Sequence, residues 1–267
     1  MGSAFTLAHL GLLEASGPFG GTHLLLLGLT GVLGVAVVWG LRRIRGTRAE
    51  TLTLQLAGWT LLAASAFYVV WYTTPERWVL SESLPLHYSD ILRFLTGVAL
   101  ITRRWWAVAI AYLWGLTLNV QAMVTPHHTM LDHASVITVF YWVLHIAVLL
   151  AAVGLIWGCG HRVDWRGFGV AYGTALAWAA VLVPLNAALG TNYGFVNEPP
   201  DGASLIDLLG PWPTYLIWLV LLVGAVWALM TWPWVRGGRS WNAGDGPRTP
   251  MTQKTPRPGA RGSSSNL

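Results

Sequence analysis

Runs of about 20 predominantly apolar residues, the length a helix needs to cross a hydrocarbon layer about 30 Å thick, recur seven times along the chain. They lie approximately at His23–Leu41, Leu52–Thr73, Leu84–Thr102, Trp105–Val124, Ala134–Trp157, Phe168–Leu189 and Pro213–Trp234. Six of them contain no Asp, Glu, Lys or Arg, whereas the third contains Asp90 and Arg93. The pattern predicts an all-α polytopic membrane protein with seven transmembrane helices. Residues 1–22 form an amino-terminal segment, residues 23–235 the membrane domain and residues 236–267 a tail. The tail is rich in Gly, Pro, Ser, Asn and Arg without hydrophobic periodicity, the composition of a disordered segment.

Composition supports lipid as the solvent. Of 267 residues, 54% are hydrophobic and only 10% charged, with a mean hydropathy of +0.53. A soluble domain carries about a quarter charged residues, so this chain has too few to cover a wetted surface. One cysteine, Cys159, excludes a disulfide-stapled secreted fold, and the apolar composition argues against nucleic acid as a partner. The net charge of +5 is explained by position. Fourteen of the 16 basic residues follow spans one, three, five and seven, from Arg42 and Arg43 through Arg103 and Arg104 to Arg236 and the tail. Glu14, Glu76, Glu82, Asp132, Glu198 and Asp201 lie at the opposite ends. The positive-inside rule then puts the amino terminus outside and the carboxyl terminus in the cytoplasm, and an odd number of spans agrees. The expected location is the cell membrane, multi-pass. Residues 1–20 lack a basic n-region, so no cleaved signal peptide is expected.

Polar groups in hydrocarbon cost about 2.5–3.5 kcal/mol for Asp or Arg at a helix centre, so exceptions point to function. In the third span His87, Asp90 and Arg93 recur every three residues, which places them near one helical face and lets Asp90 pair with either neighbour. Pro85 suits the first turn of that helix. Asn119 and Gln121 in span four, His145 in span five and Asn186 in span six fall in the same outer half. With the loop Gly190-Thr191-Asn192-Tyr193-Gly194-Phe195, they suggest a polar cavity opening outward.

Other chemistries are excluded or weak. The sole lysine, Lys254, lies in the tail, so a retinal Schiff base has no partner; there is no Gly-x-Ser-x-Gly, His-Glu-x-x-His or P-loop. His127, His128, Asp132 and His133 crowd one loop but match no zinc signature, and no cofactor or metal is expected. Ser204-Leu205-Ile206-Asp207 reads as a capping-box start to a short helix before Gly210-Pro211-Trp212-Pro213 breaks it.

Several of these residues carry a resemblance. Leu84-Pro85-Leu86-His87-Tyr88-Ser89-Asp90, Trp114-Gly115-Leu116, Gln121, Thr125-Pro126, His145, Thr191-Asn192-Tyr193-Gly194-Phe195 and Ser204–Pro213 resemble the YwaF family of bacterial integral membrane proteins. That family is distantly similar to a eukaryotic membrane acyltransferase of ether phospholipids. The resemblance implies action on lipid acyl esters, as acyltransferase or hydrolase, with a phospholipid substrate. Family members commonly have His-Leu-Cys-Asp where this chain has His87-Tyr88-Ser89-Asp90, so a thiol mechanism fails at Ser89. A serine version has Ser89 as nucleophile, His145 or His87 as base, Asp90 orienting the histidine, and Arg93 or Asn119 stabilising phosphate or oxyanion charge. Gln121, Asn192 and Tyr193 are further candidates for substrate binding. Adjacent residues on a helix point about 100° apart, so Ser89 and Asp90 share a cavity only near its rim. Two other readings stand beside this one. The Asp, Arg and His cluster suits a transporter or receptor for a small solute, or it simply holds helices together.

Overall fold

The computed structural model describes residues 19–126, 135–200 and 208–236. The His127, His128, Asp132 and His133 group, the Ser204–Asp207 cap and the predicted disordered tail beyond Arg236 lie outside the described residues. Among those described there is no strand. The helices are α1 (Gly21–Ile44), α2 (Arg48–Tyr72), α3 (Tyr88–Thr102), α4 (Trp105–Gly115), α5 (Leu118–Val124), α6 (Val136–Val153), α7 (Trp165–Leu189) and α8 (Thr214–Arg236). A π-helical turn, Gly154–Gly158, extends α6. Six helical stretches are long and apolar enough to cross a membrane: α1, α2, Trp105–Val124, Val136–Gly158, α7 and α8. The chain is an all-α polytopic membrane protein, and α3, at 15 residues, is shorter than any of these six stretches.

Local chemistry sets these boundaries. Thr47 caps α2 by accepting from the Glu50 N–H, and the Glu50 carboxylate accepts from the N–H of Gly46, the residue before the cap. Ser135 caps α6, and Asp164 caps α7 by accepting from the Gly167 N–H at 2.8 Å. α7 ends at Gly190, whose φ of 66° closes the helix in the left-handed region. Two expectations are corrected. The third helix starts at Tyr88 rather than Leu84, leaving Pro85 outside it, because His87 is extended (φ −65°, ψ 152°) and a proline disfavours the helical region in the residue before it. Span four is broken at Leu116–Thr117, where Thr117 adopts φ −122° and ψ −78°.

α4 is the axis of the bundle, with every residue from Ala107 to Gly115 buried. Trp114 and Trp227 are fully enclosed beside it and stack on each other. Their indole N–H groups donate to the Ala171 carbonyl and the Thr117 hydroxyl, so neither ring leaves a polar atom stranded. α2 and α3 pack closely through Gly58 and Gly97. A Cβ at Gly58 would sit 2.6 Å from Ile101 and 2.9 Å from the Gly97 carbonyl, the small-residue contact that lets membrane helices approach. α1 is attached differently. At one end His23 Nε2 meets the Met123 carbonyl at 2.8 Å, and at the other Leu41 packs on Gly154 and Gly158 while Arg42 donates to the Trp157 carbonyl. Between them, a Cβ at Gly28 or Gly31 would meet nothing within 4 Å. Many apolar side chains face outward, among them Val32, Leu56 and Leu229, as a lipid-facing surface requires.

Candidate functional site

The first turn of α3 organises the site. Asp90 is three residues past the N-cap, and its Oδ2 accepts from the His87 N–H at 2.9 Å, filling one of the donors that a helix start leaves open. Its Oδ1 accepts from Arg93 Nη2 at 2.5 Å. Both side chains are buried, so each charge has its partner within the same turn. The Arg93 guanidinium also lies over the Tyr68 ring of α2, 4.8 Å from its centre, a cation–π contact. The predicted Asp90–Arg93 face therefore turns inward. Because α3 begins at Tyr88, Arg93 lies in its second turn.

His145 enters from α6. Its Nδ1 lies 2.7 Å from the Tyr141 carbonyl, and a carbonyl only accepts, so Nδ1 carries the proton and the neutral ring presents an acceptor at Nε2. The Tyr141 ring packs on the imidazole, with centroids 4.1 Å apart, and its hydroxyl donates to the Ala122 carbonyl of α5. Asn119 Nδ2 donates to the His145 carbonyl at 3.0 Å. His145 is thus held by α5 and its own helix, while Nε2 is buried without a hydrogen-bond partner. Arg93 Nε and Thr96 Oγ1 are in the same condition. α3 and α6 pack against each other, and Arg93 lies within electrostatic reach of His145. A buried polar atom without a partner costs about 1–3 kcal/mol, and all three lie on the packed helices α3 and α6.

His87 differs. Its Nδ1 accepts from the Gly194 N–H at 3.3 Å, so the neutral ring carries its proton on Nε2. Tyr193 and Phe195 pack on the imidazole. Tyr193 is fully buried; its hydroxyl donates to the Leu80 carbonyl and accepts from the Leu84 N–H. The Asn186 side chain bonds the Tyr193 backbone at both N–H and carbonyl, and also Thr191 and Asn197. Asn192 accepts from the Asn197 and Glu198 N–H groups and donates to the Glu198 carbonyl. These residues build a stopper over the start of α3, and their polar atoms are engaged in holding it.

Of the residues singled out in the sequence, the structure brings together Asp90 with Arg93, Asn119 with His145, and His87 with Tyr193. Ser89 sits half-buried in the first turn of α3 and makes no hydrogen bond to either histidine among the described residues. Asp90 bonds the backbone of His87 rather than a histidine ring. Gln121 is half-buried on α5. Sequence reasoning passed over Thr96, Tyr68 and Tyr141. Thr96 had a legible signal, since it continues the three-residue series of His87, Asp90 and Arg93.

No curated protein and no solved structure matches the chain. A family match covers residues 18–231, from the start of α1 almost to the end of α8 and across the whole site. The chain belongs to the TMEM164 family of membrane proteins.

Proposed function

We propose that the protein acts on acyl esters of membrane lipids at the polar locus between α3 and α6. The observation that carries this reading is the buried set of partnerless atoms: His145 Nε2 as acceptor, Arg93 Nε as donor and the Thr96 hydroxyl. An acceptor imidazole nitrogen supplies a base, and a donor beside it suits the oxyanion of acyl transfer. The resemblance to the YwaF family, distantly similar to a membrane acyltransferase of ether phospholipids, agrees. The neutral His87 ring offers a proton at Nε2 rather than a lone pair, which makes His145 the better base.

In this reading the Ser89 hydroxyl oxygen attacks the ester carbonyl carbon and its proton passes to His145 Nε2. Arg93 stabilises the resulting oxyanion. Collapse breaks the bond to the alcohol oxygen, which takes the proton back from His145, and the acyl group then passes to a second hydroxyl or to water by the reverse sequence. The reaction requires substrate to bring Ser89 and His145 within hydrogen-bond reach. Purified protein in phospholipid vesicles, with acyl release and transfer followed by mass spectrometry, tests it. Loss of a base costs about 10²- to 10⁴-fold, so His145→Gln should lose at least a hundredfold while remaining folded. Full turnover in His145→Gln overturns the reading, and full turnover in Ser89→Ala removes Ser89 as nucleophile, with Thr96→Val then the next variant to assay.

The break in span four favours a second reading, binding or transport of a small solute, since discontinuous helices near polar residues recur at transporter sites. Uptake into vesicles that depends on Asp90 and on a proton gradient separates it from ester chemistry.

A further inference from the structure

A second feature lies at the other end of the bundle, where α7 begins and α8 ends, and it stands independently of the acyl-ester reading. There the two helices leave a groove of about 550 Å³, in the range of roughly 300–1,000 Å³ typical of ligand pockets. Its floor is apolar: Ala225, Ala228 and Leu229 of α8, three residues on one face. Small alanine side chains make it concave. Trp165 and Trp232 form its walls, both substantially exposed, and Arg236 closes one end with its guanidinium 4.6 Å above the centre of the Trp232 ring.

Charge is confined to that mouth. Arg166, adjacent to Trp165, lies over the Trp105 ring and is exposed. Asp164, the nearby acid, has its carboxylate turned to the Gly167 N–H as the cap of α7. An apolar trough flanked by two tryptophans and ending in cations matches a molecule with a hydrocarbon chain and an anionic head. Tryptophan marks headgroup depth, so the chain would run along α8 toward the bilayer centre while the head meets Arg236.

We propose that this groove is a binding site for one anionic phospholipid, its acyl chain on Ala225, Ala228 and Leu229 and its phosphate at Arg236. The occupant is an intact lipid because the apolar floor gives a free phosphate nothing to hold.

The test uses the full chain in nanodiscs of mixed phosphatidylglycerol and phosphatidylcholine. Each lipid in turn carries a photoactivated group on its acyl chain, and the labelled residues are mapped by mass spectrometry. The expected result is labelling within residues 225–229 by the phosphatidylglycerol probe, competed several-fold better by unlabelled phosphatidylglycerol than by phosphatidylcholine. Ala228→Phe, which fills the trough, should abolish that labelling. Arg236→Gln should lower the anionic preference about fivefold, the worth of one basic side chain near an anionic surface. Val32→Phe, on the exposed face of α1 and outside the groove lining, is the control and should change nothing; monodispersity and helical content are checked for each variant. Equal labelling by both lipids, labelling unaffected by Ala228→Phe, or crosslinks from this face to a second copy of the chain would each overturn the proposal.

Discussion

The two ends of the bundle treat buried polarity in opposite ways. At the basic end Glu50 is buried but bonded to the Gly46 N–H, Arg42 donates to the Trp157 carbonyl and Asp164 caps α7. Toward the other end, the buried side-chain atoms without partners among the described residues are Trp71 Nε1, Arg93 Nε, Thr96 Oγ1 and His145 Nε2, all on α2, α3 and α6. A membrane protein that satisfies Glu50 so fully has no general difficulty pairing polar groups. Where it leaves them open, beside a firmly held imidazole, no contact among the described residues offsets the cost.

The largest test of this contrast is Arg93→Met. It strands the Asp90 carboxylate in the interior, and breaking a buried pair costs about 3–5 kcal/mol. A marked loss of thermal stability in detergent is expected, with recovery in the double variant Asp90→Leu/Arg93→Met. If that double variant also keeps full function, the pair only holds helices together. Next comes Tyr193→Phe, which leaves the Leu80 carbonyl and Leu84 N–H without their partner at about 1–3 kcal/mol. Protease sensitivity between α2 and α3 reads it directly.

At the basic end Gly160 has φ +80°, and an added Cβ would meet Arg45 Nη2 at 2.0 Å. Gly160→Ala therefore combines left-handed strain of roughly 1–2 kcal/mol with displacement of Arg45, and a lower melting temperature with unchanged activity is expected. The smallest effect concerns His161. Burial lowers its pKa from 6.5 to about 4, Arg103 and Arg45 adding to the shift and Glu50 opposing it. The folded ring is harder to protonate than the unfolded one, so its contribution is complete above about pH 6.5 and is lost as pH falls toward 4. His161→Gln should flatten the melting temperature across that window. An unchanged slope would mean that the acid sensitivity comes from another group.

The legibility of the sequence divides along physical lines. Spans were readable because hydrocarbon imposes length and composition on every helix, and the Asp90–Arg93 pair because its spacing lies within one helix. The true start of α3 was obscured by hydropathy, since Leu84, Pro85 and Leu86 are apolar whether helical or extended. Trp178 Nε1 donates to the Leu86 carbonyl, a contact with a residue 92 positions away that no local pattern encodes. For the same reason spacing left open which histidine would keep a ring nitrogen free to accept. The tautomers follow from the Tyr141 carbonyl and the Gly194 N–H, one four residues from its histidine and the other 107 away.

The attachment of α1 has a consequence for how this chain tolerates change. The helix is fixed by His23 at one end and by Leu41 and Arg42 at the other, and only Thr30 is buried between them. Its middle has to be apolar and helical but need not be any particular residue. Saturation mutagenesis should therefore find two short intolerant patches separated by some four turns in which Gly28 and Gly31 accept any hydrophobic side chain, a profile closer to that of a membrane anchor than of a core helix.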